Sequence, residues 1–177
     1  MSEFLIVVDM QNDFVSGALG TKEAQAILPY VAGRIAQGLQ RGEKVLFTRD
    51  THQADYLTTQ EGQKLPVPHC IEESEGWQIV EPLQKYAKDA WVVNKPTFGS
   101  VALAEHLQAL QQHEAIEGIT LLGLCTDICV ISNALLLKAY FPEIKIRVEA
   151  AGCAGVTPES HENALRAMQM CQIEILA

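Results

Sequence analysis

Apolar residues along this chain follow two rhythms. The continuous run at 4–8 reads as a strand covered on both faces, because a strand with one face in water alternates instead. The apolar and β-branched run at 119–122 reads as another buried strand, and 44–48, 90–94, 144–148 and 173–176 as further short strands. Elsewhere apolar positions recur every three or four residues, which predicts helices over 23–41, 79–86, 101–113, 130–140 and 158–171. In the first of these Ile27, Tyr30, Val31, Ile35 and Leu39 fill one face, and Gly42 supplies a C-cap. Thr157 caps the last, with Pro158 in its first turn, where a missing N–H does no harm. Segment 51–76 has mixed polarity and no period. It is too long for an idle connection and is expected to be a functional loop.

Strands alternating with helices throughout predict an α/β fold: a three-layer α/β/α arrangement around a mostly parallel, open sheet of roughly six strands. The 177 residues fit one domain spanning 1–177, without repeat, low-complexity tract or linker.

Charge and cysteine usage narrow the partners. A net charge of −9 argues against nucleic-acid and anionic-membrane partners, which need clustered Lys and Arg. The five scattered cysteines, with Cys125 and Cys129 in a C-x3-C spacing, fit a reducing compartment without structural disulfides. The N-terminal residues lack a basic region and a signal-length apolar run, and no stretch reaches membrane-spanning length. A cytoplasmic location is expected.

Candidate chemistry lies where the strands end. Ligands of such sheets bind beyond the carboxyl ends of the strands, and there the sequence puts Asp9, Asp50 and Lys95, with Cys129 just past the fourth strand. An acid, an ammonium and a thiol on one edge are the parts of covalent hydrolysis. The stretch Gly123-Leu124-Cys125-Thr126-Asp127-Ile128-Cys129-Val130 reads as a strand-to-helix turn with Thr126 or Asp127 as N-cap. Cys129 in the first helical turn would then lose its proton readily; the alternative is a small buried hydrophobe. A second constellation is Asp50, His52 and His69. Asp-x-His on an extended segment points two ligands the same way, and a distant histidine can close a set suited to Zn2+, with Mn2+ or Fe2+ as alternatives. His106, His113 and His161 are read as solvent-facing or core residues.

Five motifs in order give these candidates a family setting: Val7-Val8-Asp9-Met10-Gln11-Asn12-Asp13-Phe14, Thr48-Arg49-Asp50-Thr51-His52, Leu65-Pro66-Val67-Pro68-His69-Cys70-Ile71, Asn94-Lys95-Pro96-Thr97-Phe98-Gly99-Ser100, and the 123–130 turn. Over nearly its whole length the chain resembles the isochorismatase-like cysteine hydrolases, and within them the nicotinamidase and pyrazinamidase branch. The resemblance implies the isochorismatase-like hydrolase fold and a catalytic triad of Asp9, Lys95 and Cys129. It further implies an oxyanion site from the backbone N–H groups of Cys125 and Cys129, and a cis peptide at Leu124-Cys125. Asp50, His52 and His69 would hold a divalent metal, zinc first, that orients the substrate. The implied reaction converts a small carboxamide, nicotinamide first, to its acid and ammonia through a thioester, in a homo-oligomer of two or four chains.

The departures from the family pattern concern substrate. Leu65, Pro66 and Val67 stand where nicotinamidases often carry an aromatic residue, leaving Phe14 and Phe98 to line the substrate pocket, unless both are ordinary core. The usual glycine-rich run after the histidine appears as Glu72-Glu73-Ser74-Glu75-Gly76-Trp77. Glu61, in a segment without a clear counterpart, stands outside the expected ligand set. Alternatives inside the family are another amide, an N-carbamoyl compound, or metal-free isochorismatase chemistry; outside enzymology, a catalytically silent scaffold.

Overall fold

The computed structural model describes residues 2–177. Six strands, β1 (Ser2–Val8), β2 (Lys44–Asp50), β3 (Trp91–Lys95), β4 (Ile116–Leu124), β5 (Lys145–Ala154) and β6 (Glu174–Leu176), form one sheet in the order β3-β2-β1-β4-β5-β6. Every neighbouring pair is parallel, as the alternation of elements predicts. The helices are α1 (Asn12–Val15), α2 (Lys22–Gln40), α3 (Gln60–Lys64), α4 (Glu81–Ala87), α5 (Val101–Gln111), α6 (Ile131–Tyr140) and α7 (Pro158–Met170). α2 and α4 pack together on one face of the sheet, and α5, α6 and α7 form a layer on the other. Chain order therefore reverses between β1 and β4, and a crevice opens beyond their carboxyl ends.

The unbroken apolar runs are what such a sandwich requires. Leu5, Ile6, Val7, Ile119, Leu121, Leu122 and Val148 are fully buried, since parallel strands lie under helices on both sides. Thr157 caps the last helix as the sequence predicts, in a capping box with Ser160, and α2 has a cap that the sequence reading did not name, Thr21, which accepts from the Ala24 N–H. All five cysteines are free thiols. Among the described residues no helix is long and apolar enough to cross a membrane.

Three features differ from the sequence pattern. β4 and β5 run further than their apolar cores, and β5 continues through Glu149, Ala150, Ala151 and Gly152 to Ala154. That tail has little strand propensity of its own; it is held because Gly123 and Leu124 pair with Cys153 and Ala154 after a register shift. The 51–76 loop contains a 3-10 turn, Tyr56–Thr58, and α3, capped by Thr59, both too short for a period to register. The 123–130 turn is a π-helical turn, Thr126–Val130, leading into α6.

At the head of that turn Gly123 has φ +121, and a Cβ there would lie 2.1 Å from the Val8 carbonyl oxygen. Only glycine lets β1 and β4 approach this closely at their reactive ends. Gly123→Ala combines a forbidden backbone angle with a backbone clash, and is expected to destabilise the protein by about 3 kcal/mol or more. Urea denaturation of the variant beside the parent chain checks this; an unchanged midpoint would contradict it.

Candidate active site

Three adjacent strands deliver the first cluster. Asp9 follows β1, Asp50 ends β2 and Lys95 ends β3, with Asp50 and Lys95 paired in register. Asp9 sits at φ +46, a left-handed conformation that aspartate tolerates better than most residues. Its carboxylate is completely buried. Oδ1 accepts from the Thr48 hydroxyl at 2.6 Å, and Oδ2 lies 2.7 Å from Lys95 Nζ. The ammonium also reaches Cys129 Sγ at 3.3 Å, the Thr97 carbonyl at 3.2 Å and Asp50 Oδ1 at 3.5 Å. Acid, ammonium and sulfur thus meet at the rim of the sheet, as their strand-end positions predict.

Burial, more than any neighbour, raises the Asp9 pKa, and Lys95 only partly offsets it. Burial also works against a charged Lys95, but Asp9, Cys129 and Asp50 outweigh it and push that pKa up. The Cys129 thiol is pushed well above its ordinary value, first by burial and then by the Asp9 carboxylate facing it. This reverses the expectation of an acidic thiol in a helix's first turn. Cys129 is packed within a π-turn beside a carboxylate, and desolvation overrides the favourable backbone dipole. The Asp9 carboxylate faces both the Lys95 ammonium and the Cys129 thiol, which places it to accept the thiol proton.

The expected capping of this turn is also replaced. Thr126 Oγ1 pairs with His161 Nδ1 at 2.7 Å, and the Asp127 carboxylate accepts from the Val156 N–H at 3.1 Å. Thr126 thus ties the turn to α7 and Asp127 ties it to the β5–α7 connection, neither capping a helix, which gives His161 a partner the sequence did not suggest. Leu124-Cys125 is a cis peptide. Asn133, fully buried, donates to the Cys129 carbonyl at 2.8 Å and the Phe98 carbonyl at 3.1 Å, and accepts from the Ser100 N–H at 2.9 Å.

The second cluster lies beside the first. Past β2, His52 continues as an isolated parallel bridge to Ile71, its N–H donating to the Cys70 carbonyl at 2.9 Å. That bridge brings His69 alongside. Nε2 of His52 lies 3.0 Å and Nε2 of His69 3.6 Å from Asp50 Oδ2, with ring centroids 4.8 Å apart. His69 Nδ1–H donates to the Val67 carbonyl at 2.8 Å, which orients the ring with Nε2 toward the carboxylate. One ligand atom from each of the three buried residues lies within 4.8 Å of the others. This donor set of two imidazole nitrogens and a carboxylate oxygen fits a divalent transition metal. Glu61 Oε1, 3.5 Å from His52 Nε2 and 3.8 Å from His69 Nε2, adds a second carboxylate that the sequence left outside the set. Burial opposes a charged Asp50, yet hydrogen bonds from both histidines and the Lys95 charge hold its pKa below the usual carboxylate range.

Two neighbours fix this geometry, and although both lie in the 7–14 motif, the sequence reading gave neither a role. Gln11 donates to the Asp50 and Trp77 carbonyls at 2.8 and 2.9 Å and accepts from the Asp50 N–H at 2.8 Å. Asp13 Oδ2 accepts from the Cys70 N–H at 2.8 Å, next to His69, where Cys70 has φ +46. Phe14 packs against the His69 ring at a centroid distance of 5.5 Å, and Phe98 stands at the rim, 45% exposed; both line the cavity over Cys129.

A family model described as "Isochorismatase domain" matches residues 3–177. The nicotinamidase of Escherichia coli (strain K12) is 30% identical over 198 residues, covering 94% of this chain and 89% of that protein. Among solved structures, the pyrazinamidase of Pyrococcus horikoshii in complex with zinc superposes with a TM-score of 0.83 at 27% identity, covering 99% of each chain. The nicotinamidase/pyrazinamidase PncA of Bacillus subtilis superposes with a TM-score of 0.83 at 29% identity over 100% of both chains.

The ligand geometry yields a direct test. His52→Ala and His69→Ala are each expected to lower zinc bound after dialysis by at least about tenfold, and Asp13→Ala, which frees the backbone beside His69, by about tenfold in affinity. Elemental analysis and chelator competition measure both. Full metal content in the histidine variants would remove them from the ligand set.

Proposed function

The chain belongs to the isochorismatase family, and on that premise we propose that it is a cysteine amidohydrolase cleaving a small carboxamide, nicotinamide first, to the acid and ammonia. The observation that carries the reading is the meeting of Asp9, Lys95 and Cys129 beside Asp50, His52 and His69. A silent scaffold has no use for a buried thiol held against a carboxylate and an ammonium. Isochorismate is a dianion, and a cavity lined mostly by apolar side chains suits it poorly. Among the described residues lining that cavity, the one lysine or arginine is Lys64, which is exposed.

In the mechanism we propose, Asp9 takes the Cys129 proton as sulfur attacks the amide carbon. Lys95, still protonated because its pKa is raised, offsets the charge that builds next to Asp9. Backbone N–H groups of Cys125 and Cys129 hold the oxyanion. Asp9 passes its proton to the departing nitrogen, ammonia leaves and a thioester remains. Asp9 then accepts a proton from the attacking water, and collapse of the second tetrahedral species releases the acid and restores the thiol. Asp50, His52 and His69, with Glu61 alongside, would hold a divalent cation, zinc first, which supplies a Lewis-acidic point that orients the substrate's ring nitrogen. By the same family reading the enzyme works in the cytoplasm as a homo-oligomer.

Cys129→Ala is expected to cut ammonia release from nicotinamide at least about a thousandfold while bound metal stays unchanged. Pyruvate formed from isochorismate, with no ammonia from carboxamides, would overturn the amidase reading. Asp9 works as a base only when ionised, so protonation removes activity on the acid side. Since burial raises its pKa, the acid limb of kcat/KM should lie above the ordinary aspartate value of about 3.9. A pH–rate profile flat down to that value would contradict the role.

A further inference from the structure

The cavity over Cys129 is larger than a ring carboxamide needs, and the excess is apolar. Its volume is about 520 Å3, within the roughly 300–1,000 Å3 of pockets that enclose drug-sized ligands. The reacting groups occupy one end of it. Lys95 Nζ lies within 3.5 Å of Asp9, Cys129 and Asp50 alike. An amide carbon over the sulfur, with its ring toward Asp50 and His69, therefore stays at that end.

The remaining walls come from apolar side chains that take no part in those groups. Leu19 precedes α2, Leu65 follows α3, Phe98 follows β3 and Val156 follows β5. Leu65, Phe98 and Val156 are 39%, 45% and 53% exposed, an apolar rim left open to water around a deep cavity. Nearby hydroxyls are already committed: Thr21 accepts from the Ala24 N–H at 3.0 Å, and Thr97 donates to the Gly99 carbonyl at 2.7 Å. These walls reward apolar ligand surface, with exposed Lys64 beside Leu65 as the one cationic side chain among the described lining residues.

We infer that the favoured substrates are heteroaromatic carboxamides carrying an alkyl or aryl group on the ring, with that group lying along Leu19, Leu65, Phe98 and Val156. The inference rests on the amidase reading above and names its substrate class. Burying one CH2 is worth about 0.8 kcal/mol, or close to fourfold in kcat/KM.

Ammonia release by the zinc-loaded protein is measured with nicotinamide and with ring-alkylated nicotinamides from methyl to butyl. In parallel, calorimetry with the Cys129→Ala protein gives Kd for the same series. At the tolerated ring position kcat/KM should rise about fourfold per CH2 and Kd should fall in step. Val156→Trp, which fills the outer cavity, should lower the butyl-to-parent ratio at least tenfold. If nicotinamide turns over while every alkyl analogue is slower or no better, the inference fails and the amidase reading stands. The rim would then be covered by another chain rather than by substrate. If no carboxamide turns over or binds, both fail together.

Discussion

The buried ion pair between Asp9 and Lys95 is the constraint on which the rest of the site depends. The two charges are 2.7 Å apart and both side chains are fully shielded from water, and such desolvation costs several kcal/mol per ion unless other groups compensate. Thr48, the Thr97 carbonyl and Asp50 provide that compensation. All of them come from β1, β2, β3 or the turns at their ends. The parallel register therefore sets the chemistry: a one-residue slip in β3 would turn Lys95 to the other face and leave Asp9 buried without its counter-charge. Removing either partner leaves an isolated charge in the core, so structural and chemical roles cannot be separated at these positions.

The sheet and its strand-end residues were legible because both depend on local pattern. Apolar runs flanked by helical periodicity determine a parallel sheet, and the polar residues that follow a run mark its carboxyl end. Asp9, Asp50 and Lys95 follow from that, and Thr157 caps the helix it precedes. What escaped depends on partners distant in sequence. Gln11 grips Asp50 across 39 residues, Asn133 holds Phe98 and Ser100 across 35 and 33, and Thr126 meets His161 across 35. No local pattern announces such pairs, since an isolated Gln, Asn or His reads the same on a solvated surface. Glu61 stayed outside the ligand set for a related reason, because α3 is too short to show a face.

The irregular backbone gathers where the chemistry is. Asp9 and Cys70 at positive φ, Gly123 against Val8 and the π-turn through Cys129 all lie at the carboxyl edge. Each departs from favoured geometry by an amount that surrounding contacts must offset. Gln11, Asp13 and Asn133 are those contacts, and each bonds mainly to backbone. Their role is to hold unusual main-chain positions rather than to touch a reacting atom, and the reactive side chains inherit their aim from them.

The direction of the Cys129 pKa then has a consequence for how such a site works. A thiol at a solvated helix N-terminus would rest as thiolate, yet here burial and the facing carboxylate keep the proton on sulfur. Burial raises Asp9 as well, so both groups hold a proton more firmly than they would in water. The proposed reaction suits such a pair, because sulfur gives up its proton to Asp9 only as it bonds to carbon, and Asp9 then passes that proton to the departing nitrogen. Charge need not be separated in advance in a dry cavity. The ammonium of Lys95, touching both partners, is placed where the separated charge would appear during the step.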